Sequence, residues 1–346
     1  MMANPPSRPP NRIQGIDQIR TITRTTCDIY HNIRRGLDDL VRPVYVRAVA
    51  ESPSRAPLHW RAFVGLIARL PQAPLSRAAG RLADIRWPRW LRRPLLATFA
   101  AVVGAETNEA ELPLADYPSL DAFFVRRLKA GLRSFPEDPN TVVSPVDGRL
   151  AEIGTITDGR LLQVKGLSYT AADLLDDATE ADRFDGGTFI TIYLSPKDYH
   201  RIHVPCTGTL GWARHVPGAL LPVNPPAVAV APDLFARNER LVCRLDSPYG
   251  RVAVAAVAAI NVGRISAAFD PGWNGPRGGV TNRRGAQATT RSYDPPVELS
   301  RGDDLMAFHL GSTIVMLLDG SGFRLRQDLV PGMVVRLGQP LTDPIG

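Results

Sequence analysis

Cysteine is scarce in this chain of 346 residues. Only Cys27, Cys206 and Cys243 occur, an odd number without CxxC spacing. That excludes a disulfide framework and a cysteine-based zinc site, and it points to a reducing, cytoplasm-facing environment. Also lacking is any run of 18 apolar residues, so no membrane-spanning helix is expected. The longest charge-free stretch, Val216 to Pro232, contains Pro217, Pro222, Pro225, Pro226 and Pro232, which break a helix through it. The amino terminus carries Pro5, Pro6, Pro9 and Pro10 where a secretory signal would place an apolar centre, and it reads as a disordered start. Neither an internal repeat nor a low-complexity tract is present.

Hydrophobic residues make up 44% of the chain and charged residues 22%, a composition that supports one large core or two modest ones. The formal charge of +7 is unevenly placed. Residues 1–100 hold 17 Lys/Arg against 6 Asp/Glu, a surplus of +11, whereas the remainder holds 24 against 28. The amino-terminal part is therefore a cation suited to a polyanion, either nucleic acid or an anionic lipid surface.

From Leu58 to Leu70, Trp60, Phe63, Val64, Ile67 and Leu70 fall on one helical stripe, with Arg61, Gly65 and Arg69 on the opposite side. A second segment, Trp87 to Val103, sets Trp90, Leu91, Leu95, Phe99 and Val103 behind an arginine cluster, Arg86, Arg89, Arg92 and Arg93. Such helices lie in a bilayer interface without crossing it; the same stripes also fit ordinary core-facing surfaces. A polar connector (106–120) leads into a helix expected from Ser119 to Leu132. Beyond it the pattern changes to short β-prone runs between turns: Thr141 to Val143, Thr188 to Leu194, and the alanine-rich Val252 to Val262, where the flanking Gly250 and Gly263 favour strand. The expected fold is α+β: a basic, disordered extension (1–55), amphipathic helices (56–105), and a β-rich domain (106–346).

Three places in the β-rich part carry reactive groups. Gly311-Ser312-Thr313 heads the apolar run Ile314 to Leu318. A serine hydroxyl is a nucleophile only when a base takes its proton, and the glycine allows the preceding peptide to be held bent toward Oγ. Alone, Gly-Ser-Thr also fits a tight turn entering a buried strand. His200 and His203 lie within four positions in a chain with 6 histidines, bracketed by Pro196 and Pro205. A metal reading would need a third ligand that the cysteines do not offer; a structural pair bonded to carbonyls is the plain alternative. Asp147, in Ser144-Pro145-Val146-Asp147-Gly148, has the signature of a turn, and an aspartate there can also orient an imidazole.

Taken together, FFVRRLKAGLRSF (123–135), SPVDG (144–148), LSPKDYHRIHVP (194–205), LFARNERLV (234–242), NVGRI (261–265) and LGST (310–313) resemble the bacterial, membrane-associated phosphatidylserine decarboxylases. The resemblance runs from about Trp60 to Gln339. It implies a proenzyme that cuts itself between Gly311 and Ser312, with Asp147 and His203 as the relay to the Ser312 hydroxyl. Ser312 would become a covalent pyruvoyl group, which forms a Schiff base with the amine of phosphatidylserine and accepts electrons as carbon dioxide leaves; neither a metal nor PLP takes part. His200 would manage a proton in that second reaction. Fragments 1–311 and 312–346 would remain together, on the cytoplasmic side of the cell membrane, held peripherally to an anionic surface. A homodimer is compatible with this reading and not specified by it.

Departures from the family pattern are Ser134, where proline is usual, Asp304 and Met306 ahead of the LGST motif, and the whole of 267–297. A serine hydrolase acting on an external ester with Asp147, His203 and Ser312 is the second reading; the absence of Gly-x-Ser-x-Gly around Ser312 weighs against it. A third is a basic membrane-binding β protein without catalysis. Nucleic acid is not expected as a partner, because the basic region lacks a recognisable reading module.

Overall fold

The computed structural model describes residues 58–344 except 165, 262, 263 and 321. The expected extension 1–55 lies outside the described residues. Those described belong to one compact unit, Glu51–Gly346, in which amino-terminal helices are followed by a β-rich region, an α+β architecture.

Among the described residues three helices come first: α1 (Leu58–Arg69), α2 (Gln72–Ala83) and α3 (Arg89–Val103). Pro71 separates the first two, since the residue before proline is pushed out of the α region; Gln72 Nε2 donates to the Ile67 carbonyl at 3.0 Å, satisfying a carbonyl at the end of α1. α3 ends at Gly104 in a left-handed cap (φ 77°). Of the predicted apolar stripe on α1, Val64 is buried while Phe63 and Leu70 stay exposed. Among the described residues no helix is long and apolar enough to cross a membrane.

α4 (Leu120–Phe124) is capped by Ser119, whose Oγ accepts from Ala122 N at 3.2 Å. The helix predicted to reach Leu132 stops here. Past Val125 the backbone pairs with the preceding connector instead, Glu111 N donating to Arg127 O (2.9 Å) and Lys129 N to Glu109 O (3.0 Å). Gly131 then turns the chain at positive φ.

The strands are β1 (Gly148–Thr155), β2 (Arg160–Val164), β3 (Leu167–Thr170), β4 (Thr188–Leu194), β5 (Arg201–His203), β6 (Gly208–Val216), β7 (Arg240–Ser247), β8 (Gly250–Val257), β9 (Arg264–Ala267), β10 (Thr289–Leu299), β11 (Asp304–His309), β12 (Ser312–Leu318) and β13 (Val334–Val335). They form an eight-stranded sheet in the order β10-β6-β7-β8-β12-β4-β1-β13, a three-stranded sheet β5-β11-β9 and a β2-β3 ribbon. The strand predicted through Val262 ends at Val257, and Val143 makes only an isolated bridge to Pro340.

β12 lies between β8 and β4, antiparallel to both, and every one of its residues is buried. Central position explains its unbroken apolar run: a strand covered on both faces has no polar side to present. β11 belongs to the small sheet and β12 to the large one, so the chain changes sheets across Leu310-Gly311. At that corner Leu310 has φ 89°, a region that branched side chains rarely adopt.

Candidate active site

Ser312 opens β12 opposite Leu194, the last residue of β4. The segment after β4 therefore folds over the start of β12. Its turn is fixed by Asp198, whose Oδ2 accepts from Ser195 N and Ser195 Oγ, both at 2.7 Å. Two residues on, His200 Nδ1 donates to the Asp198 carbonyl at 2.8 Å. That bond fixes the tautomer and leaves the lone pair on Nε2. A Cβ placed on Gly311 would stand 3.7 Å from His200 Nε2, so this nitrogen faces the Gly311–Ser312 peptide.

Neither His200 Nε2 nor Ser312 Oγ has a hydrogen-bond partner, and both are buried. Unsatisfied buried polar atoms are costly, and their coincidence at one peptide marks a place where function outweighs stability. Burial pushes the His200 imidazole down to about 3; the Asp198 carbonyl opposes that shift and the Arg126 cation adds to it. The Phe124 ring packs on the imidazole at 4.1 Å between centroids. His200 is thus a neutral imidazole held against Gly311.

His203 is placed differently. Its Nδ1 is 2.7 Å from the Gly302 carbonyl and its Nε2 is 3.0 Å from the Tyr199 hydroxyl, on which its ring also stacks. Nδ1 donates and Nε2 accepts. Burial lowers its pKa, against the Gly302 hydrogen bond and the Asp304 carboxylate at 3.6 Å. Asp147 accepts from Arg133 Nε (2.9 Å) and Leu337 N (2.8 Å), and also pairs with Arg133 Nη2. Arg133 binds Glu109 at 2.7 Å as well; burial opposes, but hydrogen bonds to Asp147 and Glu109 raise its pKa. No hydrogen bond joins Asp147, His203 and Ser312 to one another here. Of the predicted residues, the fold brings together Ser312, Gly311 and His200. It bonds His203 to Tyr199, the chain neighbour of His200, and gives Asp147 to Arg133.

Comparison with known proteins decides what this geometry belongs to. Residues 120–343 match the phosphatidylserine decarboxylase family. The chain is 43% identical over 282 residues to a phosphatidylserine decarboxylase proenzyme of Anaeromyxobacter sp. (strain K), covering 81% of this chain and 98% of the relative. Proenzymes of the same description from Azotobacter vinelandii (strain DJ / ATCC BAA-1303; 42%, 79% of this chain and 94% of the relative) and Myxococcus xanthus (strain DK1622; 38%, 80% and 96%) are similar to it. This chain belongs to the phosphatidylserine decarboxylase family.

Within a phosphatidylserine decarboxylase of this kind, the sequence departures acquire a place. Asp304, with its shortened side chain, stands opposite His203 across the β5–β11 pair and is held by Arg127 and by Arg201 (3.2 Å). Two participants escaped the sequence reading although they sit inside the quoted motifs. Tyr199 lies between Asp198 and His200, and its value as the partner of His203 depends on a turn that spacing does not show. Arg133 closes the first motif, and only the fold carries it to Asp147. Among the described residues, no group of three or more His, Cys, Asp or Glu side chains converges as a metal-binding cluster.

Proposed function

We propose that this family member generates its own electrophile by cutting itself between Gly311 and Ser312, then converts phosphatidylserine to phosphatidylethanolamine with loss of carbon dioxide. The observation that carries the first part is the pair of buried, unpartnered atoms at one peptide, Ser312 Oγ and His200 Nε2. Ser312 Oγ attacks the Gly311 carbonyl while His200 Nε2 takes the hydroxyl proton. Collapse expels the Ser312 nitrogen, which receives that proton, and an ester joins Gly311 to the Ser312 oxygen. Loss of the Ser312 α-proton and departure of Gly311 as a carboxylate leave a dehydroalanine at 312. Its tautomer loses ammonia to water. With its pKa held down to about 3 by burial, His200 is neutral at ordinary pH, and its Nε2 lone pair is the one positioned to accept the hydroxyl proton.

An orphaned serine hydroxyl at the head of a buried strand fits the site of a pyruvoyl group at 312. Once formed, that group supplies a carbonyl that joins the substrate amine as a Schiff base and takes up the electrons freed when carbon dioxide leaves. His200, on the same corner, is the residue positioned to manage the proton that replaces the carboxylate. His203 holds Tyr199 and so the turn that carries His200; Asp147 ties the SPVDG turn to Arg133 and Leu337. A direct Asp147–His203–Ser312 relay would require His203 to leave both of its partners and Asp147 to leave Arg133.

After cleavage the small fragment, 312–346, stays with the large one because β12 is wedged between β4 and β8. The helices supply the lipid contact. Trp90 is 77% exposed and Leu82 66%, Phe63, Leu66, Ile85 and Val102 are exposed as well, and the same helical segment carries arginines at 61, 69, 81, 86, 89 and 93. Inserted apolar side chains plus about 1 kcal/mol per surface-near cation suffice for reversible, peripheral docking on an anionic cytoplasmic leaflet.

The test is carbon dioxide release from phosphatidylserine vesicles labelled in the serine carboxylate. Wild-type protein releases label and Ser312→Ala does not. Release by Ser312→Ala at the wild-type rate would overturn the reading.

A further inference from the structure

His309 and Arg264 stand directly opposite each other across the β9–β11 pair, so their side chains share one face. Both grip a third element. His309 Nδ1 is 2.8 and 3.0 Å from the two carboxylate oxygens of Asp121 in α4, and Arg264 Nη2 is 2.9 Å from Oδ2. A carboxylate only accepts, so Nδ1 carries the proton and donates. Nε2 of His309 lies 3.1 Å from Ser266 Oγ. The guanidinium of Arg264 also holds Asp84, the cap residue of α2, through two bonds of 3.0 and 3.1 Å. His309, Asp121 and Arg264 are all buried.

The residue after His309 is Leu310, whose φ of 89° persists only where the surroundings over-determine it. On the carboxyl side, Ser312 is fixed against Leu194 and Thr313 against both Tyr193 and Val257. On the amino side, the last residue fixed by a strand is His309, opposite Arg264. Leu310-Gly311 therefore spans the gap between two sheets with one clamp at each end. The carboxyl-side clamp is backbone pairing alone. The amino-side clamp adds a buried, charged hydrogen bond from the side chain of His309.

We propose that the Asp121–His309–Arg264 cluster positions the scissile segment for self-cleavage. His309 and Asp121 act as positioning residues: they touch neither Ser312 nor the reacting carbonyl, but they hold Leu310 in the conformation that presents the Gly311 carbonyl to Ser312 Oγ. This rests on the reading that the chain cuts itself between Gly311 and Ser312.

The experiment is a time course of cleavage in protein made by cell-free synthesis, for wild type, His309→Leu and His309→Asn. Full-length and cut chains are separated under denaturing conditions, with and without hydroxylamine, which splits the ester formed before the cut. Losing a hydrogen bond to a charged group slows His309→Leu about ten- to a hundredfold, and the hydroxylamine-sensitive ester appears equally late. Asparagine keeps a donor for Asp121 and restores the rate to within about threefold of wild type. A role confined to fold stability would not be rescued in that way. Should His309→Leu fail to fold by circular dichroism, Asp121→Asn, which keeps the shape and removes the charge, takes its place and is expected to cut more slowly than wild type. Cleavage of the folded leucine variant, or of Asp121→Asn in its place, at the wild-type rate overturns the proposal, as does equal slowing of leucine and asparagine variants that both fold. A wild-type chain that never cuts would instead strike the self-cleavage reading itself.

Discussion

Replacing His200 by glutamine should remove part of the acid sensitivity of the fold. In the folded chain this imidazole titrates at about 3, against an ordinary value of 6.5. Below pH 6.5 the unfolded chain binds a proton at this position and the folded chain does not. Stability from this group is therefore full above 6.5 and is lost as pH falls toward 3. The loss runs at about 1.4 kcal/mol per pH unit once well below 6.5, so lowering pH from about 6.5 to 5 costs on the order of 2 kcal/mol. Urea unfolding of Ser312→Ala, which keeps the chain whole, and of Ser312→Ala/His200→Gln, at about pH 7 and 5, isolates the contribution by difference. Other titrating groups are common to both proteins. The double variant should lose on the order of 2 kcal/mol less on acidification. The same pH dependence in both would refute the inference that His200 is held neutral.

Gel filtration of mature protein should return both fragments in one peak, because each of the five side chains Ile314 to Leu318 is buried and contributes about 1.5–3 kcal/mol, together about 10; separation without denaturant would contradict this. Met316→Ala, at a fully buried position, should destabilise by about 2–5 kcal/mol and release the small fragment at lower urea, a change absent if β12 is not the anchor. Arg133→Met leaves Asp147 without its cation and Glu109 with Arg336 alone, which should cost about 2–4 kcal/mol in urea unfolding; an unchanged midpoint would show the pair to be idle. Trp90→Ser with Leu82→Ser should weaken cosedimentation with anionic vesicles, and salt should weaken it further as charges are screened. Salt-independent binding to neutral vesicles would move the lipid contact elsewhere.

Ser312 stands out in the sequence because three local features meet there: a glycine before the hydroxyl, an apolar run after it, and a family motif. The run also reports on fold, since only a strand covered on both sides dispenses with polar residues. The histidine pair is legible as a pair, and the family resemblance gives His203 the relay and His200 the later proton. Which imidazole faces Gly311 is set by the Ser195–Asp198 turn and by the end of β4, neither of which leaves a periodic trace. The SPVDG motif singles out Asp147, yet its partner Arg133 lies at the far end of a segment that the sequence presents as helix to Leu132. That segment leaves the helix at Val125 to pair with residues 109–111, a tertiary preference that its own side chains do not announce. His309 gives no signal in the sequence for a related reason: its partners are Arg264 opposite and Asp121 beyond, three residues far apart in the chain.

The most direct measurement of whether this chain manufactures its own electrophile is the intact mass of purified protein under denaturing conditions. Two species are expected, parted between residues 311 and 312, the smaller beginning with a residue that lacks an amine and reacts with a hydrazide, while Ser312→Ala gives one full-length chain. A single unbroken chain that still releases carbon dioxide from phosphatidylserine would contradict it.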